Sequence, residues 1–182
     1  MAGLHIALIR GINVGRNKRV AMADLRALLT DLGYGDVRTL LQSGNAVFSA
    51  PGSSAALATA IEQAMTEQLK VTARVLVRTP TQLAAAIEAD PFGPRATDGS
   101  KHFLGFLDDR PSQETVAAVP ELADDADTAP DEARFAAGHL YLWCPNGISK
   151  STLWKVNWDK ALGTAVTLRN WNTATKLAEL AG

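Results

Sequence analysis

Residues 36–49 read Asp36-Val37-Arg38-Thr39-Leu40-Leu41-Gln42-Ser43-Gly44-Asn45-Ala46-Val47-Phe48-Ser49, and the reading of this stretch decides the fold. Gln42-Ser43-Gly44-Asn45 is a run of turn-forming residues between two short segments that contain Val37, Thr39, Val47 and Phe48. That pattern predicts a hairpin joining strands at 36–41 and 46–49. Working outward toward the N-terminus, Met22, Leu25, Leu28, Leu29 and Leu32 recur at helical spacing over 21–32, with Gly33 placed to end the helix. Before it, residues 4–9 form an apolar run that reads as a first, central strand. On the other side, Pro51-Gly52-Ser53 interrupts the chain ahead of an alanine-rich helix over 54–69, and residues 72–77 alternate as a strand. The order is βαββαβ.

A helix predicted over 80–88, with Pro80 in its first turn, and an irregular connector over 90–99 lead into a second run of the same order. It comprises a strand at 102–107, a short helix at 112–119, a hairpin of 134–136 with 140–144 turning at Ala137-Gly138, a helix at 151–162 and a strand at 166–168. Residues 121–132, with six acidic side chains, read as an exposed loop between them. A terminal helix at 171–180 has no counterpart in the first run. The expected fold class is α+β, a tandem repeat of two ferredoxin-like βαββαβ units with extra connecting and C-terminal helices. Units are expected at 1–78 and 101–182, joined by a helix and connector at 79–100. The repeat lies in element order, without strong residue identity.

In this arrangement the loop after a unit's first strand and the turn between its second and third strands share one end of the sheet. Residues 11–19 should therefore approach 42–45. In the second unit the segments after strands three and four share the opposite end, bringing 145–151 toward 169–173; packing of opposite ends together would make one cleft of both groups. The candidate ligand-binding residues are Arg10, Gly11, Asn13, Gly15, Lys18, Ser43, Gly44 and Asn45, with Asn146, Gly147, Ser151, Arg169, Asn170, Trp171, Asn172 and Thr173.

These segments also carry a resemblance. Arg10-Gly11-Ile12-Asn13-Val14-Gly15, Met22 with Leu25-Arg26, Ser43-Gly44-Asn45, residues 141–151 and Arg169-Asn170-Trp171-Asn172-Thr173 together resemble the domain of unknown function 1697 family, over essentially the whole chain. The resemblance implies a bacterial-type protein with two α+β repeats. It carries no established activity, cofactor or catalytic assignment.

Composition narrows the chemistry. At 182 residues and 47% hydrophobic the chain can bury a substantial core. Without a bilayer-length apolar run or a secretory start, it is expected to be cytoplasmic with no membrane partner. The single cysteine, Cys144, excludes an internal disulfide framework. Net charge is −1, yet residues 1–50 hold six Arg/Lys against three Asp, and residues 145–182 hold five against two acids. The basic excess thus accompanies the polar motifs, as an anion partner would require and as ordinary solvated faces also allow.

A phosphate-cradling P-loop is absent, because Arg16 stands where the motif needs its second glycine, and Gly-x-Gly-x-x-Gly is absent too. His5, His102 and His139 fall in or beside strands without metal-ligand spacing, so no metal set is expected. Cys144 is read as either accessible and reactive or buried and inert. Ser43 fits a turn and Ser151 a helix cap; no catalytic set and no cofactor can be named. Trp154 and Trp158, four apart, read as a packing pair on one helix, and Trp171 as the tryptophan best placed for a ligand. Three roles follow: binding of a phosphorylated or otherwise anionic small molecule, binding of single-stranded nucleic acid, or a structural role. In the last, Asn13, Asn45, Asn146 and Asn172 cap turns and helix ends while Arg10 and Arg169 tie the repeats together.

Overall fold

A computed structural model describes residues 2–15 and 18–182. Its elements run β1 (Gly3–Ile9), α1 (Met22–Asp31), β2 (Gly35–Leu40), β3 (Asn45–Ala50), α2 (Ser54–Leu69), β4 (Val75–Arg78) and α3 (Pro80–Glu88). They continue β5 (His102–Leu107), α4 (Gln113–Ala117), β6 (Glu132–Ala136), β7 (His139–Trp143), α5 (Trp158–Leu162), β8 (Val166–Asn170) and α6 (Trp171–Ala181). Two four-stranded antiparallel sheets result, ordered β2-β3-β1-β4 and β6-β7-β5-β8. Each is flanked by helices as a ferredoxin-like βαββαβ unit, with α3 and α6 as the additional helices. By compactness one unit holds residues 1–84 and 176–182, and the other 85–175. No helix among the described residues is long and apolar enough to cross a membrane.

Local chemistry accounts for the ends of the elements. Gly33 adopts φ +82°, and Tyr34 N donates to Leu29 O at 3.2 Å, closing α1. Ser53 caps α2 by accepting from Ala56 N. The first core fills because Ala7, Ile9, Phe48, Val75 and Val77 on one sheet face meet Leu25, Leu28 and Leu29 of α1 and Leu57, Ile61 and Met65 of α2. Burying each such side chain is worth roughly 1.5–3 kcal/mol.

The helix expected over 151–162 is broken. Residues 148–150 and 152–155 are 3-10 turns, Val156 is extended, and only Trp158–Leu162 is α-helical. Leu153 and Trp158 are five residues apart, so an unbroken helix would turn them away from each other. Asn157 instead caps α5 through Lys160 N, and Trp158 Nε1 donates to Leu153 O at 3.2 Å, placing Leu153, Trp158 and Leu162 in one core. Trp154 is left 61% exposed, so Trp154 and Trp158 are not a packing pair.

Register reveals a residue-level repeat that element order conceals. In the first sheet Arg38 faces Val47, Val47 faces Ile6, and Ile6 faces Arg78. In the second, Arg134 faces Tyr141, Tyr141 faces Leu104, and Leu104 faces Arg169. Each row lies on the face opposite the helical core and ends in arginine on both edge strands. Arg78, Arg134 and Arg169 each donate from Nη1 to the carbonyl of the preceding residue at 2.9 Å. Charged side chains at these positions also discourage edge-to-edge association.

Candidate functional site

The first unit gathers its polar residues at one end. Ile9 N donates to Gly44 O at 2.8 Å, and Arg10 N to Arg74 O at 2.8 Å, so the chain leaving β1 is held between the β2–β3 turn and the approach to β4. Asn13 organises the loop that follows. Its Nδ2 donates to Val20 O at 2.8 Å and to Gln42 O at 2.7 Å, and its Oδ1 accepts from Val20 N at 2.9 Å. Asn13 N also donates to Lys18 O at 3.0 Å. One side chain thereby closes the loop on itself and docks it on the turn. Left-handed backbone at Gly11, Asn13, Gly15 and Lys18 lets the chain reverse within this short span.

Gly44 is sterically required. At φ +83° a Cβ there would stand 2.9 Å from Ile12 and Ile9 carbons. Next to it, Asn45 is completely buried, its Nδ2 donating to Leu40 O at 3.0 Å and Ser43 Oγ at 2.9 Å. The amides of Asn13 and Asn45 thus serve the scaffold. Gly11, Gly15, Lys18, Gln42 and Ser43 are exposed at the surface so formed, as is Arg19. Arg16 and Asn17 lie outside the described residues.

In the second unit, 145–151 and 169–173 flank the start of β5 from opposite sides. Cys144 N donates to Lys101 O at 2.9 Å and Asn172 N to Gly99 O at 3.3 Å. Because β5 stands between β7 and β8, the ends of those strands are two strand spacings apart, roughly 10 Å. Asn170 Oδ1 accepts from Thr173 N at 2.9 Å and from its Oγ1 at 2.8 Å, capping α6. Ser151 is buried and accepts from Leu153 N. Exposed Asn146 and half-buried Gly147, at φ +91°, begin the turn after β7. Asn146 and Lys150 line a cleft of about 330 Å³ whose walls also carry Asp127 and Asp131, a poor environment for an anion. Arg169 is buried; burial draws its pKa down to about 10, so it stays cationic at neutral pH. Cys144 is buried and its thiol is pushed up to about 11, chiefly by burial, which makes it the inert form of the two readings.

Sequence reasoning missed the cluster around His102. This residue is 1% exposed, stacks on Trp171 at 4.1 Å between ring centroids, and meets Phe92 edge-on at 5.6 Å. Asp90 Oδ1 lies 3.2 Å from His102 Nε2, off-axis for a hydrogen bond, while both carboxylate oxygens accept backbone amides, from Phe92 and Gly93. Burial lowers the His102 pKa, and Asp90 opposes that shift. Trp171 is therefore occupied with packing. The available signal was Asp90-Pro91-Phe92-Gly93, a side-chain-anchored turn placed in a segment read only as a connector. Among the described residues no group of three His, Cys, Asp or Glu could hold a metal.

A conserved bacterial protein, SP0830 from Streptococcus pneumoniae, has the same fold: TM-score 0.77, 23% identity, with all of both chains covered. No curated protein matches the chain. Residues 3–141 match the family model described as protein of unknown function DUF1697, and the chain belongs to that family.

Proposed function

We propose that the protein binds a phosphorylated or otherwise anionic small molecule at the end of the first unit, across the 11–19 loop and the β2–β3 turn. The observation that carries this reading is the Asn13 clamp, which joins the two segments before any ligand arrives. Segments already joined through Asn13, Val20 and Gln42 avoid part of the ordering cost of binding. Exposed Lys18 and Arg19 supply charge, Ser43 and Gln42 supply hydrogen bonds, and left-handed residues at alternate positions 11, 13 and 15 suit a backbone concavity that receives oxyanions. The second-unit candidates fit this role less well, since Arg169 is buried and Asn146 shares its cleft with carboxylates. Titration with inorganic phosphate and a nucleoside monophosphate should shift amide resonances at 11–19 and 42–45, and Lys18→Glu with Arg19→Glu should abolish the shifts. Perturbations scattered over the surface, or none, would refute the site.

A second reading, single-stranded nucleic-acid binding, has its own support. Trp154 is 61% exposed, with exposed Lys150 and Lys155 nearby in sequence. An open indole beside cations is the makeup of a base-stacking platform. Short single-stranded DNA and RNA should then quench tryptophan emission in a salt-dependent way that Trp154→Ala removes. Failure to bind at low salt ends this reading.

A further inference from the structure

The geometry points to a second, separate ligand site: a cavity in the second unit that takes a small monocarboxylate with an aliphatic or aromatic tail. The cavity has a volume of about 370 Å³, within the roughly 300–1,000 Å³ usual for small-molecule clefts. Val116 and Ala117 of α4, Leu122 of the 3-10 turn that follows and Phe135 of β6 give it apolar walls beside the polar Gln113, and among the described lining residues the one charged group is Arg110. The neighbouring clefts of this unit differ in kind, for Asp127 and Asp131 line one and Asp124, Asp131 and Glu132 another. The cleft is open to solvent, so an anion held there keeps part of its hydration, and its apolar walls add affinity only for a ligand that carries a hydrocarbon part. A single guanidinium matches a carboxylate, whose two oxygens accept its parallel donors. The ligand class follows from that combination of wall and charge.

The hairpin that forms one wall of the cleft supports the same conclusion. Ala137 and Gly138 form the two-residue β6–β7 turn with φ +48° and +81°. The first position of such a turn favours Asn, Asp or Gly, because an alanine methyl is strained in left-handed backbone. Here Ala137 and Gly138 line the cavity, and alanine keeps the wall apolar where the preferred residues would add an amide, add a carboxylate or leave a gap. Local strain retained at a cavity wall is typical of a binding surface.

Titration of the full chain with octanoate, monitored by amide shifts, tests the site. Octanoate should perturb residues 110–138 selectively, while octanol and acetate, each lacking half of the recognised chemistry, should bind far more weakly. Arg110→Gln should weaken octanoate about tenfold. Ala117→Phe, at an exposed helix end, should block binding by filling the cavity while Arg110 remains. Ala137→Asn should raise the melting temperature and weaken octanoate together, a pairing that a purely structural turn would not show. The proposal is overturned if octanoate leaves 110–138 unperturbed, if octanol binds as tightly, or if neither Arg110→Gln nor Ala117→Phe alters binding. It is equally overturned if those residues shift on dilution of the free protein, which would mean that another copy occupies the cavity.

Discussion

Arg78 and Arg169 are the same residue of the repeat. Each stands on the last strand of its unit, paired in register with the residue at the middle of the central strand, Ile6 or Leu104, and each donates from Nη1 to the carbonyl before it. Their environments have diverged: Arg78 is half-buried, whereas Arg169 is 9% exposed. Removing a buried cation that its surroundings satisfy strands those partners, at a cost of about 3 kcal/mol, while the more solvated counterpart costs about 1 kcal/mol. Urea denaturation should therefore show Arg169→Ala lowering the midpoint much more than Arg78→Ala. Equal losses would mean that burial does not distinguish the two.

Asn13 should be the most sensitive residue of the first-unit loop. Asn13→Ala deletes three side-chain hydrogen bonds and places a less tolerant residue at φ +56°, for an expected loss of about 2 kcal/mol. Asn13→Gly relieves the backbone but restores none of the bonds, and should recover only part of the loss. Faster hydrogen exchange at Val20 in both variants, with α2 unaffected, would place the damage in the loop.

Gly44→Ala should be severe for two additive reasons. Its φ is +83°, and the new methyl would lie 2.9 Å from Ile12 and Ile9 in a turn packed on the core. The expected destabilisation exceeds about 2 kcal/mol. Gly15→Ala, where a Cβ would meet nothing within 4 Å, pays the backbone strain alone and should lose about 1 kcal/mol. Thermal melts of the two variants separate collision from strain.

His102 makes stability depend on pH in a defined direction. Its folded pKa lies below the ordinary 6.5 because burial disfavours the cation, with Asp90 partly compensating. The unfolded chain thus binds the proton more readily, so the stabilisation is complete above pH 6.5 and declines as pH falls below that value toward the folded pKa. Melting temperature should drop over this window, and the drop should shrink in His102→Gln. An unchanged profile in the variant would assign the dependence to other groups.

Much of the architecture was legible locally. The α1 stripe of Met22, Leu25, Leu28 and Leu29, the stop at Gly33 and the 41–44 turn are set by nearest-neighbour chemistry, and the structure has them within a residue or two of their expected positions. The segment after β7 was not legible, because its apolar residues satisfy a helical window while the bond from Trp158 to Leu153 that breaks the helix depends on the packed core.

The candidate site divides in the same way. Sequence alone determined the double βαββαβ order and the meeting of the 11–19 loop with the β2–β3 turn, since strand direction in one unit dictates which loops share an end. Tertiary structure decided which polar side chains face inward. Asn13, Asn45, Asn170 and Arg169 look alike as polar letters in a motif, yet the fold commits each to a backbone partner, burying Asn45 and Arg169, and leaves Lys18 and Arg19 in solvent. The arginine row and the Asp90–His102–Trp171 cluster likewise come from pairing register and ring packing between residues distant in sequence, information that no local window contains.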